Sequence, residues 1–340
     1  MALDLFTPIV PRERLHPIFN LLLQDRHAPE RAALDSWAKG FQDRDGKFVQ
    51  ELQLTFESSF WELYLHAALC ELGIDTDMSF DAPDFVAVRP HNFCIEATIA
   101  GPAQGGPSAF GYNSMEELPE DFTDFNIQAA IRICNAFDAK IRRYHSRYSG
   151  LPQSQSKPYV IAIGAFDRPY SHFAANRAIV AALYGLYFDE AATPRDADDV
   201  VRYNVSSAPK SPTVDVPVGL FCDATHADVS AVIYSPVATW GKLRAMADNP
   251  GALTVYQTFH PSDDGLLPKI LTRKKSEYNE HLLDGLYVLH NPFAKYPLPK
   301  GCLSHPRLCE VHVAHDGELD MQAPEDFLLV RILRSVIARD

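Results

Sequence analysis

Three carboxylates, Glu62, Asp84 and Glu96, fall within one stretch of the chain, Phe56 to Thr98. Carboxylate oxygens that converge on one point can hold a hard divalent cation such as Mg2+. That ion keeps several waters and takes only one or two carboxylates from a protein. Whether these three acids can converge depends on the elements that carry them.

Glu62 lies in FESSFWELYLHAALCELG, which reads as a helix. At about 100° per residue, Glu57 and Glu71 fall opposite Glu62, with Tyr64 between them, and form the expected solvent face. Glu62 shares its side with Ser58, Ser59, Leu65, His66 and Leu69. The other positions are nearly all apolar, so the helix is expected to be largely buried and Glu62 to point inward. A buried carboxylate needs a cation, a metal or a hydrogen-bond donor; a structural pairing with a buried arginine would also satisfy it. The next segment reads as a hairpin, PDFVAV and FCIEAT around a turn at RPHN. Side chains alternate along strands, so Asp84, Val86 and Val88 share one face of the first strand. Cys94, Glu96 and Thr98 share one face of the second. With strands ~4.8 Å apart and agreeing register, Asp84 and Glu96 can reach one cation. Pro83 suits a first strand position because it donates no ladder bond. The plainer alternative is an Asp that opens a strand and a Glu exposed on a two-faced sheet.

A helix with an inward Glu, then Pro-Asp, then a hydrophobic strand ending in Glu-x-Thr, resembles the PD-(D/E)xK nuclease superfamily. That core runs helix, three strands with the acids on the second and third, helix, strand. Pro83-Asp84 matches its Pro-Asp, Glu96 its second acid, and Glu62 the acid often supplied by the first helix. The resemblance covers Phe56 to Phe166. One departure is plain: the family lysine belongs two residues after the second acid, where this chain has Thr98. In the superfamily that lysine is sometimes supplied from the second helix. Here Thr123 to Tyr148 reads as a long helix, with Lys140 on its apolar stripe beside Ala129, Ile133, Ala136 and Tyr144. Lys140 is the candidate, although a lysine on such a stripe also snorkels to the helix edge.

The resemblance implies hydrolysis of phosphodiester bonds in DNA or RNA, dependent on Mg2+ (or Mn2+). Asp84 and Glu96 would be the metal ligands, with the Ala97 backbone carbonyl beside them. Glu62 would orient a water or hold a second ion. The lysine would position the attacking water; Thr98 can hydrogen-bond but supplies no charge. Arg132 and Arg143 are accessory cations on the same helix, and the run KIRRYHSRY could contact phosphates. Two other readings stay open. One is a nuclease-like fold without catalysis, acting as a binding or assembly module. The other is an unrelated α/β protein with coincidental acids.

Composition sets outer bounds. A net charge of −13 argues against a surface that coats nucleic acid everywhere, and it leaves room for a local basic groove. A hydrophobic fraction of 46% indicates a folded chain. No stretch approaches ~20 uninterrupted apolar residues, so no membrane span is expected. The N-terminal segment has an early Asp and no basic region, unlike a secretory signal. Scattered cysteines without a CxxC pair point to reduced thiols in the cytoplasm. There is no GxxxxGK[ST], no GxGxxG after a strand and no GxSxG, so phosphate cradles and an esterase elbow lack support. His290, His305, His312 and His315 do not have zinc-motif spacing. A homodimer or a protein partner stays open.

Alternating strand and helix signals predict an α/β, or mixed α+β, fold. The resemblance implies a restriction-endonuclease-like core: a central mixed sheet flanked by helices. Residues 1–55, with helices over Arg14–Gln24 and Glu30–Phe41, are expected as a helical arm packed on the core at 56–166. Residues 167–340 are a C-terminal α/β elaboration of the same compact domain. A Gly/Pro-rich loop after Ile99 is a lid or a disordered excursion. Tyr159–Phe166 reads as a central strand and Asn176–Phe188 as a helix. Ala191–Asp215 reads as an excursion. Val218–Phe221 and Val229–Ser235 read as strands, Trp240–Ala247 as a short helix. Ala252–Phe259, the region of Leu289, and Leu308–Val313 are further strand material. Phe327–Ala338 is expected as a closing amphipathic helix.

Overall fold

A computed structural model of the chain describes residues 3–110, 118, 122–194, 197, 199–262 and 267–337. Three short helices, α1 (Pro17–Leu22), α2 (Ala28–Trp37) and α3 (Phe48–Leu54), lead into α4 (Glu57–Glu71). Four apolar residues of α4, Phe60, Trp61, Leu63 and Leu65, are at most 1% exposed. The expected solvent face of this helix is covered at Tyr64 and largely at Glu57, and only Glu71 stays exposed. Tyr64 is fully buried and its hydroxyl donates to the Leu282 carbonyl at 3.0 Å. Glu57 faces His16 at 3.3 Å, and Glu71 faces His281 at 3.2 Å. A helix this apolar is wrapped from several sides, and its few polar groups are met by partners from the lead-in and from the distant 281–282 segment.

After α4 come β1 (Asp75–Thr76), β2 (Phe85–Arg89), β3 (Phe93–Ala100), α5 (Phe122–Arg143) and β4 (Tyr159–Ala165). The chain continues through α6 (Arg177–Tyr184), β5 (Leu186–Phe188), β6 (Arg202–Asn204), β7 (Ser207–Ser211), β8 (Val214–Pro217), β9 (Ala231–Ser235) and α7 (Trp240–Met246). It closes with β10 (Ala252–His260), β11 (Lys269–Lys274), β12 (Tyr287–His290), β13 (Cys309–Val313), β14 (Leu319–Gln322) and β15 (Val330–Ile337).

The main sheet has the order β1-β2-β3-β4-β9-β12-β13-β14. Strands β1, β2 and β3 are antiparallel neighbours, whereas β3, β4 and β9 run parallel. The sheet is therefore mixed, with helices on both faces. Alternation along the strands divides the core. Ile95, Ala97, Val160 and Ala162 pack with α1–α4. Cys94, Ile161 and Ile163 pack with α5 and α6 on the other side. The sheet draws strands from both 56–166 and 167–340.

Three local expectations are corrected. The segment expected as a closing helix, 327–338, is not helical over its described residues, 327–337: β15 pairs antiparallel with β10, from Phe259↔Val330 to Ala252↔Ile337. A short run of mixed apolar and basic residues fits both periods, and the open edge of β10 decides between them. The segment 218–221 is a turn rather than a strand, and the 191–215 excursion feeds two small hairpins, β5–β6 and β7–β8.

Candidate functional site

The β2–β3 register, Phe85↔Ile95 and Val86↔Cys94, places Asp84 opposite Glu96 by simple continuation. Asp84 stops the ladder with its side chain: Oδ2 accepts the Ala97 amide at 2.7 Å. Oδ1 faces the Arg44 guanidinium at 3.7 Å. Arg44 also donates to the Phe80 and Pro83 carbonyls, at 2.9 and 3.2 Å, and so braces the turn that delivers Asp84.

Glu96 points to the α5 face and is 1% exposed. Its Oε1 receives the Lys140 ammonium at 2.8 Å and the Tyr148 hydroxyl at 3.3 Å, with Arg143 at 3.9 Å. Its Oε2 is buried and has no hydrogen-bond partner among the described residues. Burial and the Asp84 charge push the Glu96 carboxyl up, and Lys140 and Arg143 pull it back. The last turn of the long helix, Tyr144–Tyr148, is a π turn. This wider turn underwinds the chain and brings Tyr148 round towards the face of Lys140.

Glu62 comes from α4 and feels the same group of charges. Burial, then Asp84, push its carboxyl up to about 8, against the pull of Arg44 and Lys140. Three acids from α4, the start of β2, and β3 thus share one field with Arg44, Lys140 and Arg143. The half-exposed Arg143, at 48%, marks the open side. A hard cation suits this donor set: two carboxylates stand opposite each other, one buried oxygen lacks a partner among the described residues, and a third carboxyl is held up by burial and the Asp84 charge.

Thr98 lies half-buried on the Glu96 face, two residues on. Arg132 is not among the acids: it donates to the Gly101 and Pro102 carbonyls at 2.8 and 2.9 Å and anchors the start of the loop after β3. In that loop Ala109 and Phe110 pack towards the α1–α4 side. The rest of this loop, expected as a lid or a disordered excursion, lies at 111–117 and 119–121 outside the described residues. Two surface cavities, of about 530 Å3 beside Trp37 and Arg307 and about 600 Å3 beside Tyr184 and Phe293, lie away from the acids.

Arg44 was missed because it sits in a polar stretch with no periodicity. Tyr148 was read only as part of a basic run. A further cluster, His290, Glu310 and His312, assembles across β12 and β13. Its readable signal was Glu-x-His at strand spacing, which puts both side chains on one face. Comparison of the chain with protein-family models, with curated proteins and with solved structures finds no match.

Proposed function

We propose that this chain hydrolyses phosphodiester bonds in nucleic acid, using a divalent metal held by Asp84 and Glu96 on a restriction-endonuclease-like core. What carries the reading is convergence: Asp84, Glu96 and Lys140, from three separate segments, come together with one Glu96 oxygen left unpaired, and Glu62 from a fourth feels the charges of Asp84 and Lys140. The element order α4, β1, β2, β3, α5, β4, with an antiparallel meander and then a parallel strand, supports it. So does the arrival of a lysine from the helix after β3, where Thr98 leaves the usual place without charge.

Asp84 and Glu96 would hold Mg2+ or Mn2+, with Glu62 beside them. When bound, the ion supplies Lewis-acid polarisation of a phosphoryl oxygen and makes the attacking water easier to deprotonate. Burial and the Asp84 charge leave Glu62 protonated at neutral pH, and positive charge nearby would draw that proton off. The Lys140 ammonium stands where it can offset charge that builds on the phosphoryl group. Arg143, at the open edge, contacts a backbone phosphate and orients the strand.

A second reading has its own support. Lys140 and Arg44 are already engaged by Glu96 and Asp84, so the cluster can also serve as the ionic anchor of a binding module without catalysis.

The test is incubation of the purified chain with plasmid DNA and with single-stranded RNA in Mg2+ or Mn2+. Cleavage should need the ion, stop with chelator, and fall ~10²-fold or more in Asp84→Asn and in Lys140→Met. If the wild type cleaves neither polymer with any divalent ion, the binding-module reading takes over. Cleavage undiminished in both variants removes this site from the chemistry.

A further inference from the structure

On the main sheet, the row Glu96–Ile161–Val232–Leu289–Val311 faces α5. The adjacent row Ile95–Val160–Ala231–His290 faces the other way, and Ile95, Val160 and Ala231 pack with α4. Continuing the β12–β13 register from Val288↔Glu310 and Leu289↔Val311 sets His290 beside His312. His290, Glu310 and His312 therefore share the sheet face opposite Glu96. With strands ~4.8 Å apart, they lie ~14 Å (β12) and ~19 Å (β13) from β3. This cluster is physically separate from the carboxylate site.

Its geometry is close. Glu310 Oε2 is 3.4 Å from His290 Nε2 and 3.6 Å from His312 Nε2. One donor atom from each of the three residues can be chosen so that all lie within 4.8 Å of one another. Bonds of ~2.0–2.2 Å to a tetrahedral ion put neighbouring donors ~3.3–3.6 Å apart, the range of both Glu310–imidazole separations. The imidazoles lie stacked, 4.2 Å between centroids and 11° between planes, so the His312 ring, open to solvent, must turn out of the stack to aim its Nε2 at an ion shared with His290. His290 Nε2 is buried and lacks a hydrogen-bond partner among the described residues. The His290 carbonyl accepts the Tyr184 hydroxyl at 2.9 Å, which fixes the strand end that presents the ring. Glu310 is 14% exposed and His312 41%, so the cluster opens to solvent on the His312 side.

We infer that His290, Glu310 and His312 form a binding site for one divalent first-row transition ion of the zinc class, with a fourth position open to solvent. Two imidazoles and one carboxylate favour such an ion over Mg2+, which prefers all-oxygen surroundings. The ion would bridge β12 and β13, whose connection runs through residues 291–308, and so clamp that side of the sheet. The open position would take water or an exchangeable ligand. This inference does not depend on the nuclease reading.

The experiment uses the full chain, stripped with chelator and titrated with ZnCl2 by calorimetry. Co2+ loading is followed by visible absorption, which reports ligand type. Wild type and Asp84→Asn should each bind Zn2+ at this site with a raised melting temperature. His290→Ala/His312→Ala should weaken that binding ~100-fold or more and lose the Co2+ spectrum. His312→Ala alone changes only a surface residue, so it keeps the fold and should weaken binding at least ~10-fold. Excess Mg2+ should not displace the zinc. Unchanged zinc heats and Co2+ spectrum in His312→Ala, or no saturable zinc binding by the wild type, would overturn the site.

Discussion

Glu62 keeps its proton to about pH 8 because burial and the Asp84 charge oppose ionisation. The unfolded chain releases that proton near the ordinary glutamate value. Between those two values the folded state binds more proton than the unfolded one, so stability falls as pH rises. The contribution is fully present below about 4.5 and is lost by about pH 8, at up to ~1.4 kcal/mol per pH unit. In chelator-stripped protein, Glu62→Gln should therefore gain stability relative to wild type as pH rises from 5 to 8. Parallel urea-derived stability curves for the two proteins across that range would contradict the assignment. Lys140 makes the opposite case. Its ammonium pairs with a Glu96 oxygen that is almost wholly buried, and removing one partner of a buried pair costs ~3–5 kcal/mol. Lys140→Met should destabilise by that order at pH 8 and by less at pH 5, where Glu96 can take up a proton. Adding Glu96→Gln should recover part of the loss in a double-mutant cycle.

Element packing decides whether these residues meet. Helix α4 can lie against β4 because Gly164 has no side chain. A Cβ there would come within 3.0 Å of the Trp61 ring and 2.9 Å of Phe166. Trp61 is locked in place by its indole N–H, which donates to the Ala162 carbonyl at 3.1 Å. Gly164→Ala should push α4 outward and destabilise the fold by about 1–3 kcal/mol. Glu62 is on that helix, so the same substitution should weaken any divalent-ion binding at Asp84 and Glu96. Denaturant titration and Mn2+ calorimetry read the two effects separately. A Gly164→Ala protein with wild-type values in both would mean that this contact does not set the helix position.

Across the whole molecule, the main sheet is one layer of a larger assembly that also holds the three-stranded sheet β11-β10-β15. The join is ionic and buried. Glu280 receives both Lys242, from α7, and Arg331, from β15, and its other oxygen accepts the Tyr278 hydroxyl at 2.6 Å. Lys242 and Glu280 are fully buried. Lys242 also donates to the His281 and Asp284 carbonyls, at 3.1 and 2.7 Å. Arg331→Met leaves Glu280 with one cation fewer and should cost ~3–5 kcal/mol. Lys47→Ala removes an exposed pair with Asp45 and should change stability by less than ~0.5 kcal/mol. Equal midpoints for the two variants in denaturant would show that the buried cluster is not a keystone. No described helix is long and apolar enough to cross a membrane.

The sequence by itself determined the local facts. The apolar surroundings of Glu62, the faces that Asp84 and Glu96 take within their own strands, and the stripe that carries Lys140 all follow from the fixed periods of helix and strand; the register that sets Asp84 opposite Glu96 does not. Composition and an apolar run also marked β4 as a central strand, and the alternation of strand and helix signals indicated a mixed α+β chain. What they could not contain is how separate segments meet. Arg44 reaches Asp84 across 40 positions of sequence through a polar loop that no period describes. Tyr64 loses its solvent face to the 281–282 segment, more than two hundred residues away. Val330–Ile337 becomes a strand because β10 offers an edge, and pairing outweighs a propensity that was balanced between two periods. Glu310 and His312 have the Glu-x-His spacing of one strand face, but only the parallel register of β12 and β13 brings His290 beside them. Each of these depends on long-range packing, where burial and partner geometry outweigh local preference, and there the tertiary structure decided.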